Sequence, residues 1–322
     1  MNNNEVSSSN NMIEQLEALR LADKRLYSIM LVVFIFLFIV GAITGFVLGS
    51  INGALIGLAV CVPIVAIAIV MVGKRKRPKF ETEFKRLVVT QELQNVFEDV
   101  DYKWLSSVDE QMLRELNIFQ SFDIMRGEDY LSATHKGRKF FRSDVSLYVL
   151  EDRRVTNTDS DGNTQTDTVQ EEVQVFSGSF TCIEREKPYP TKLLFFTEGF
   201  PHIKGITGRS KLAQFFGRES NELVTESMEF NRDYEVACTD QIGGRIILSP
   251  RRIHGLQRLD EIISDHFAVL FEGNKLYIIV RRDDSFDGCV FGNTTVAEQQ
   301  GEIAYQASTL RHRIDLLLEL EE

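Results

Sequence analysis

Between Leu26 and Gly73 the chain runs for 48 consecutive residues without a charge, most of them Ile, Leu, Val, Phe or Ala. A bilayer core about 30 Å thick needs about 20 apolar helical residues, so the run has room for two spans. Gly49-Ser50-Ile51-Asn52-Gly53 supplies the reversal between them, because Gly, Ser and Asn favour turns. One unbroken helix of this length would measure about 70 Å, far beyond a bilayer. A cleaved signal peptide fits no better, since the run is too long and starts behind a polar lead. The pattern predicts a transmembrane helical hairpin over 26–73, with spans Leu26–Leu48 and Ala54–Val72.

The flanks carry other periods. Residues 1–11 are polar and low in complexity. Ile13, Leu16, Leu19 and Ala22 then recur at helical spacing into the first span, so 1–25 reads as a tail with a short amphipathic helix. In the juxtamembrane segment 74–100, Phe80, Phe84, Leu87, Val88, Val96 and Phe97 predict an amphipathic helix over Phe80–Val100. Ser107-Val108-Asp109-Glu110 has the form of a capping box and predicts a short helix to about Leu116.

From Ile118 to about Phe200 the alternation is that of strands. Asp144–Asp152, Val169–Phe176, Ser179–Glu186 and Lys192–Thr197 read as separate strands, punctuated by Gly178, Pro188 and Pro190. Val155–Thr168 is a polar loop and 201–223 another. Tyr234–Thr239 and Gly244–Leu248 read as strands, and Ser249-Pro250 opens a helix with Ser as cap and Pro in the first turn. His266–Phe271 and Lys275–Val280 flank Glu272-Gly273-Asn274 as a hairpin. A last amphipathic helix starts near Thr295, and its acidic end, Glu319–Glu322, opposes the helix dipole and should fray. Residues 101–322 are thus expected to form an α+β domain, an antiparallel sheet with packed amphipathic helices.

Charge orients the hairpin. Lys24 and Arg25 precede the first span, and Lys74, Arg75, Lys76, Arg77 and Lys79 follow the second. The positive-inside rule places both flanks in the cytoplasm, making this a multi-pass protein of the cell (inner) membrane. The basic cluster is also suited to anionic lipid headgroups, so membrane lipids are expected partners. The net charge is −11, from 36 basic and 47 acidic side chains. Residues 1–79 hold 8 and 4 of these, which leaves 28 and 43 beyond. So acidic a domain does not suit a nucleic-acid partner.

Gly41, Gly45, Gly49, Gly53 and Gly57 recur at intervals of four. On one helix face such a strip permits close backbone approach, either of the two spans to each other or between copies in a homo-oligomer. No Asp, Glu, Lys, Arg or His lies in either span, which argues against an ion or proton pathway.

Catalytic signatures are missing. Cys61, Cys182, Cys238 and Cys289 are scattered without a CxxC, and the five histidines are isolated, so neither a zinc site nor a redox motif is indicated. No HExxH, GxSxG, P-loop or GxGxxG is present. Asn157, Asp159, Asp161 and Gly162 match the start of an EF-hand loop, but Thr168 stands where the closing carboxylate belongs. Asp265-His266 and Cys238-x-Asp240 pair chemically interesting groups, yet each sits in or beside a predicted strand. Phe140-Phe141 and Phe215-Phe216 are read as core. No cofactor, metal or catalytic residue is expected.

Glu229-Phe230, Tyr234-Glu235-Val236, Asp240, Leu248-Ser249-Pro250 and Leu276-Tyr277-Ile278, with the preceding Phe176-Ser177-Gly178, form a pattern that resembles a bacterial family. That family comprises the two-span membrane proteins called domain of unknown function 3137. The resemblance implies a bacterial source and the same two-span layout, and it supplies no catalytic residue. The expected function is a membrane-anchored cytoplasmic binding or scaffolding module with a protein partner. An enzyme of unrecognised type acting on a membrane-proximal substrate and an oligomeric pore are the alternatives.

Overall fold

The computed structural model describes residues 11–33, 35–36, 39, 79–116, 118–119, 122–158, 164–197, 200, 221–263, 265–282, 286–290 and 293–320. They divide into two compact units, residues 1–91 with 287–304 and residues 92–286 with 305–322.

The first unit is helical. Residues 11–33 form α1, with Leu16 and Arg20 buried. Helix α2 (Lys79–Phe84) continues through a π-helical turn, Lys85–Val89, into α3 (Thr90–Gln94). Phe80, Phe84, Val88 and Val89 are fully buried, each contributing about 1.5–3 kcal/mol by removal from water. The predicted helix over Phe80–Val100 therefore stops early. Val96 N and Phe97 N both fold back on Leu93 O, and Glu98–Lys103 is the edge strand β1.

The second unit is built on a sheet that is antiparallel throughout. Among the described residues it has nine strands in the order β1-β2-β3-β4-β9-β8-β5-β7-β6. They are β1, β2 (Ile124–His135), β3 (Arg138–Thr158), β4 (Thr164–Glu184), β5 (Leu193–Thr197), β6 (Asn221–Glu222), β7 (Tyr234–Cys238), β8 (Phe267–Glu272) and β9 (Lys275–Arg281). Strand alternation sends Val145, Leu147, Phe180, Leu194, Phe196, Leu270 and Ile279 to one face. There they pack with Leu113 and Leu116 of α4 (Glu110–Leu116). On the other face Phe195 stacks among Phe230, Tyr234 and Phe267 at 4.9–5.8 Å.

The α+β class holds, and several element assignments need correction. Helix α4 is capped by Asp109, whose Oδ1 accepts Gln111 N at 3.0 Å, while Ser107 Oγ donates to Val108 O; the expected capping box does not form. The strands around Gly178 are one strand, because a glycine there lets β9 approach and does not interrupt the ladder. Most of the polar loop Val155–Thr168 is ladder as well, with Val155 paired to Asp167 and Thr158 to Thr164. The last five positions of the segment 157–168 lie in β4. Residues 201–220 lie outside the described residues.

Gly244–Leu248 is likewise no strand. Helix α5 (Met228–Asp233) precedes β7, and α6 (Gln241–Ile247) follows it. Asp240 Oδ2 accepts Gly243 N at 2.6 Å as the helix cap, and such a cap stabilises by about 1 kcal/mol. Helix α7 (Pro250–Ile262) begins as expected, with Ser249 Oγ accepting Arg252 N.

Helix α8 (Val296–Glu319) starts on a reciprocal cap. Glu298 N donates to Thr295 Oγ1 and Thr295 N donates to Glu298 Oε2. Its C-terminus does not fray at Leu320, which is 1% exposed. Arg252 Nε donates to Leu320 O and Arg258 pairs with Glu319 at 2.9 Å, offsetting the acidic end of the dipole.

One further tie to α8 is pH-dependent. Asp315 lies 2.8 Å from His135 Nε2 and 2.6 Å from Lys136 Nζ. Burial alone would raise its carboxyl, but the hydrogen bonds from Lys136 and His135 outweigh burial and hold it below the ordinary 3.8. A carboxylate held down adds stability above its unfolded pKa and loses it as pH falls through the lowered value. Lys136 is 65% exposed, so solvent screens its share. Asp315→Asn should cost about 1 kcal/mol in urea denaturation at neutral pH, and the two proteins should converge in acid once the pH is below the lowered carboxyl value. A gap that persists in acid would refute the ion-pair origin.

Candidate functional site

The residues singled out by the sequence fall unevenly. Gly41, Gly45, Gly49, Gly53 and Gly57 lie outside the described residues, as do Lys74, Arg75, Lys76 and Arg77. The second span (54–72) and the turn (49–53) are also outside, with much of the first. Among the described residues no helix is long and apolar enough to cross a membrane. Lys24 and Arg25 ride on α1 and Lys79 opens α2.

What the first unit does contain is a stem. Asp23 on α1 accepts Phe80 N of α2 at 2.9 Å. It thereby satisfies one of the backbone donors that a helix start leaves unpaired. Two points separated by 57 residues are thus brought within hydrogen-bond distance. Around them Glu17 Oε2 accepts Val296 N at 2.9 Å while pairing with Arg20 at 2.5 Å. The Arg20 hydrogen bond is the largest influence on Glu17, and its carboxyl is held below the ordinary value despite burial. Lys85, fully buried, reaches Asp287 at 2.6 Å. Above the stem, α1 and the helical residues that follow it turn Leu26, Ile29, Leu31, Val32, Ile35 and Phe36 outward, each at least 52% exposed.

The second unit holds a buried polar cluster. A bulge in β2 sets Asp129 and Tyr130 opposite Ser143, between the pairs Glu128–Asp144 and Leu131–Arg142. Asp129 adopts φ +55°, a left-handed conformation that Asp tolerates better than most residues. The bulge aims its carboxylate inward, where Tyr102 Oη donates to Oδ1. Arg142 pairs with Asp144 at 2.8 Å, the two side chains 2% and 8% exposed, and its guanidinium lies 5.1 Å from the Phe286 ring centre. Burial first, then the negative charges of Asp129 and Asp144, push the Tyr102 phenol far above its ordinary value, with Arg142 opposing. This tyrosine therefore stays protonated and donates. No member is open enough to meet a substrate, so the cluster holds β1, β2 and β3 together.

Sequence reading missed this cluster and Asp23. Arg142 had only a weak signal, its alternation with the buried Phe140, because both parities of β3 are buried here. Asp129 had none, because the bulge shifts its parity.

The remaining candidates have ordinary roles. Asp265 accepts His266 N and Asp240 caps α6. Burial pushes the Cys182 thiol up to about 12, which makes it a poor nucleophile. A shallow depression of about 600 Å³ along α4 is lined by Asp109, Glu110, Gln111, Arg114 and Glu115. Arg114 there is already bonded to Glu110 at 2.5 Å and to Phe122 O at 2.8 Å. Among the described residues no group of three or more His, Cys, Asp or Glu is arranged to hold a metal ion.

Comparison with known proteins agrees with the resemblance in part. The model of the family described as Protein of unknown function (DUF3137) matches residues 174–320, from β4 to the end of α8. The matched stretch does not include residues 26–73, so the two-span layout is not tested by it. The crystal structure of the mycobacterial trehalose monomycolate transport factor A, TtfA, is similar at 10% identity and a TM-score of 0.36, over 73% of this chain and 94% of that one. No curated protein matches the chain.

Proposed function

We propose that the chain is a member of this family of unknown function, anchored in the cell membrane by the hairpin 26–73. Both flanks then lie in the cytoplasm, and the α+β unit serves as a binding or scaffolding module at the inner leaflet. The observation that carries this reading is the Asp23–Phe80 hydrogen bond. A segment that enters and leaves at one point crosses a bilayer an even number of times. The uncharged run between those two points is long enough for two crossings, and the exposed apolar side chains above the stem are costly in water and favourable in lipid. The glycine strip Gly41–Gly57 would let the spans pack on each other or on a second copy.

Labelling and crosslinking in intact bacterial cells test both halves. Ser50→Cys should react with a membrane-impermeant maleimide from outside, whereas the exposed Cys289 should react only after lysis. The chain should resist alkaline carbonate extraction. Crosslinking of the full chain should capture a discrete protein partner. Release by carbonate, or labelling of Cys289 in intact cells, would sink the anchored topology. Turnover of a metabolite by the purified chain, with no crosslinked partner, would replace the scaffold by an enzyme.

A further inference from the structure

Helix α6 is amphipathic the wrong way round for a helix that only fills a core. Its inward face is glycine. A Cβ on Gly243 would lie 2.9 Å from the Thr191 side chain, and one on Gly244 would lie 3.0 Å from Cys238 Sγ. The helix therefore presses its backbone onto the strand end and buries Ile247, while Ile242 and Ile246 point out, 74% and 60% exposed. These two isoleucines are four residues apart and so share one face. Single exposed apolar residues are ordinary; a pair on a helix whose other face is glycine is a different pattern.

The charge around the pair is also distinctive. From Gln241 to Leu259 there is no acidic residue, and Arg245, Arg251 and Arg252 are present; Arg258 is paired with Glu319. The part of the chain beyond residue 79 is otherwise strongly acidic. Arg245 sits between the isoleucines and is exposed, as are Arg251 and His254 at the start of α7. Arg252 fixes the corner, its Nη1 donating to Ile246 O at 3.2 Å and Ile247 O at 3.1 Å. That holds the first turn of α7 against the last of α6. Two exposed apolar side chains with a cation between them, followed by exposed basic residues at the start of α7, match an interfacial membrane contact.

We infer that the α6–α7 corner is a docking face for an anionic bilayer surface, with Ile242 and Ile246 entering the headgroup boundary and Arg245 and Arg251 on lipid phosphates. The inference rests on the anchored reading, which keeps a bilayer within reach. Its effect is to hold the α+β unit down on the leaflet.

The full chain in vesicles tests it. An environment-sensitive nitrobenzoxadiazole label is placed on Ile246→Cys, with Cys61 and Cys289 replaced by Ser. In vesicles of phosphatidylcholine with phosphatidylglycerol the emission should shift to the blue and be quenched by headgroup-level spin-labelled lipid. In phosphatidylcholine alone both effects should fall several-fold. Arg245→Glu should weaken docking at least about fivefold, the factor that one basic residue contributes at an anionic surface. Arg245→Glu with Arg251→Glu should abolish it. Equal emission in both lipids, or no response to Arg245→Glu, would overturn the docking face. Emission that shifts only when an acidic protein partner is added would overturn it as well. Carbonate washing separates the two readings, since a chain that is washed off but still shows the shift contradicts only the anchor. A chain that is retained without a shift contradicts only the docking face.

Discussion

Arg142→Leu should lower the stability of the full chain by about 3–5 kcal/mol, the range for breaking one side of a buried ion pair. The guanidinium is 2% exposed and faces Asp144 at 2.8 Å, while Asp129, fully buried, lies in the same cluster through Tyr102. Removing the cation leaves carboxylates in a place where water cannot replace it, and that desolvation is the larger part of the loss. The pair's net worth is a separate matter, because a buried ion pair often does no better than an apolar pair of similar volume. Arg142→Leu combined with Asp144→Leu should accordingly recover a good part of the loss that either change causes alone. Urea midpoints for the wild type, both single variants and the double variant give the coupling directly. Additive losses, or an Arg142→Leu variant within about 0.5 kcal/mol of the wild type, as for an ordinary surface change, would show that the cluster does not act as a unit.

That cluster also marks where sequence reading stops. The hairpin β8–β9 was legible because two short apolar runs flank a tight turn, where Gly273 supplies the left-handed residue at φ +55°. Helix α7 was legible from Ser249-Pro250, and α8 from its apolar stripe. Both are local signals, fixed by residues within a few positions of each other. The failures are non-local. Gly243-Gly244 followed by β-branched residues looks like a strand entry, and only the packing of Thr191 and Cys238 explains why glycine is needed in a helix there. The paired residues 155–158 and 164–168 show no apolar–polar alternation, and the residues next to them, Glu151–Arg154 and Val169–Glu172, are exposed, so no buried face imprints the period of two. Asp23 reads as one more charge on a solvated helix until Phe80, 57 residues away, is brought beside it. The uncharged run 26–73 is written plainly in composition, yet most of it lies outside the described residues.

Gly178 carries the second large effect. It sits in the middle of β4, opposite Arg281 of β9, where a Cβ would come within 2.0 Å of Val280 O and 3.0 Å of Arg281 Cα. Both obstacles are backbone, so no rotamer change relieves the overlap, and the β4–β9 ladder must open to admit even one methyl. Ser177 O accepts Arg282 N at 2.8 Å immediately beside it, which ties the neighbouring residue to the same strand. Overpacking a core ordinarily costs about 1–3 kcal/mol, and this clash between main chains belongs at or above the top of that range. Gly178→Ala is therefore expected to lower the melting temperature sharply or to prevent folding. Gly301 provides the opposite case. It lies within α8, and nothing stands within 4 Å of a Cβ placed there. Gly301→Ala should add about 0.5–1 kcal/mol, the gain expected for replacing a mid-helix glycine by alanine. Thermal unfolding of the two variants beside the wild type should thus move in opposite directions from the same chemical change. If Gly178→Ala were tolerated as well as Gly301→Ala, β4 and β9 could not be hydrogen-bonded in the register Gly178–Arg281, and the centre of the sheet would need a different pairing.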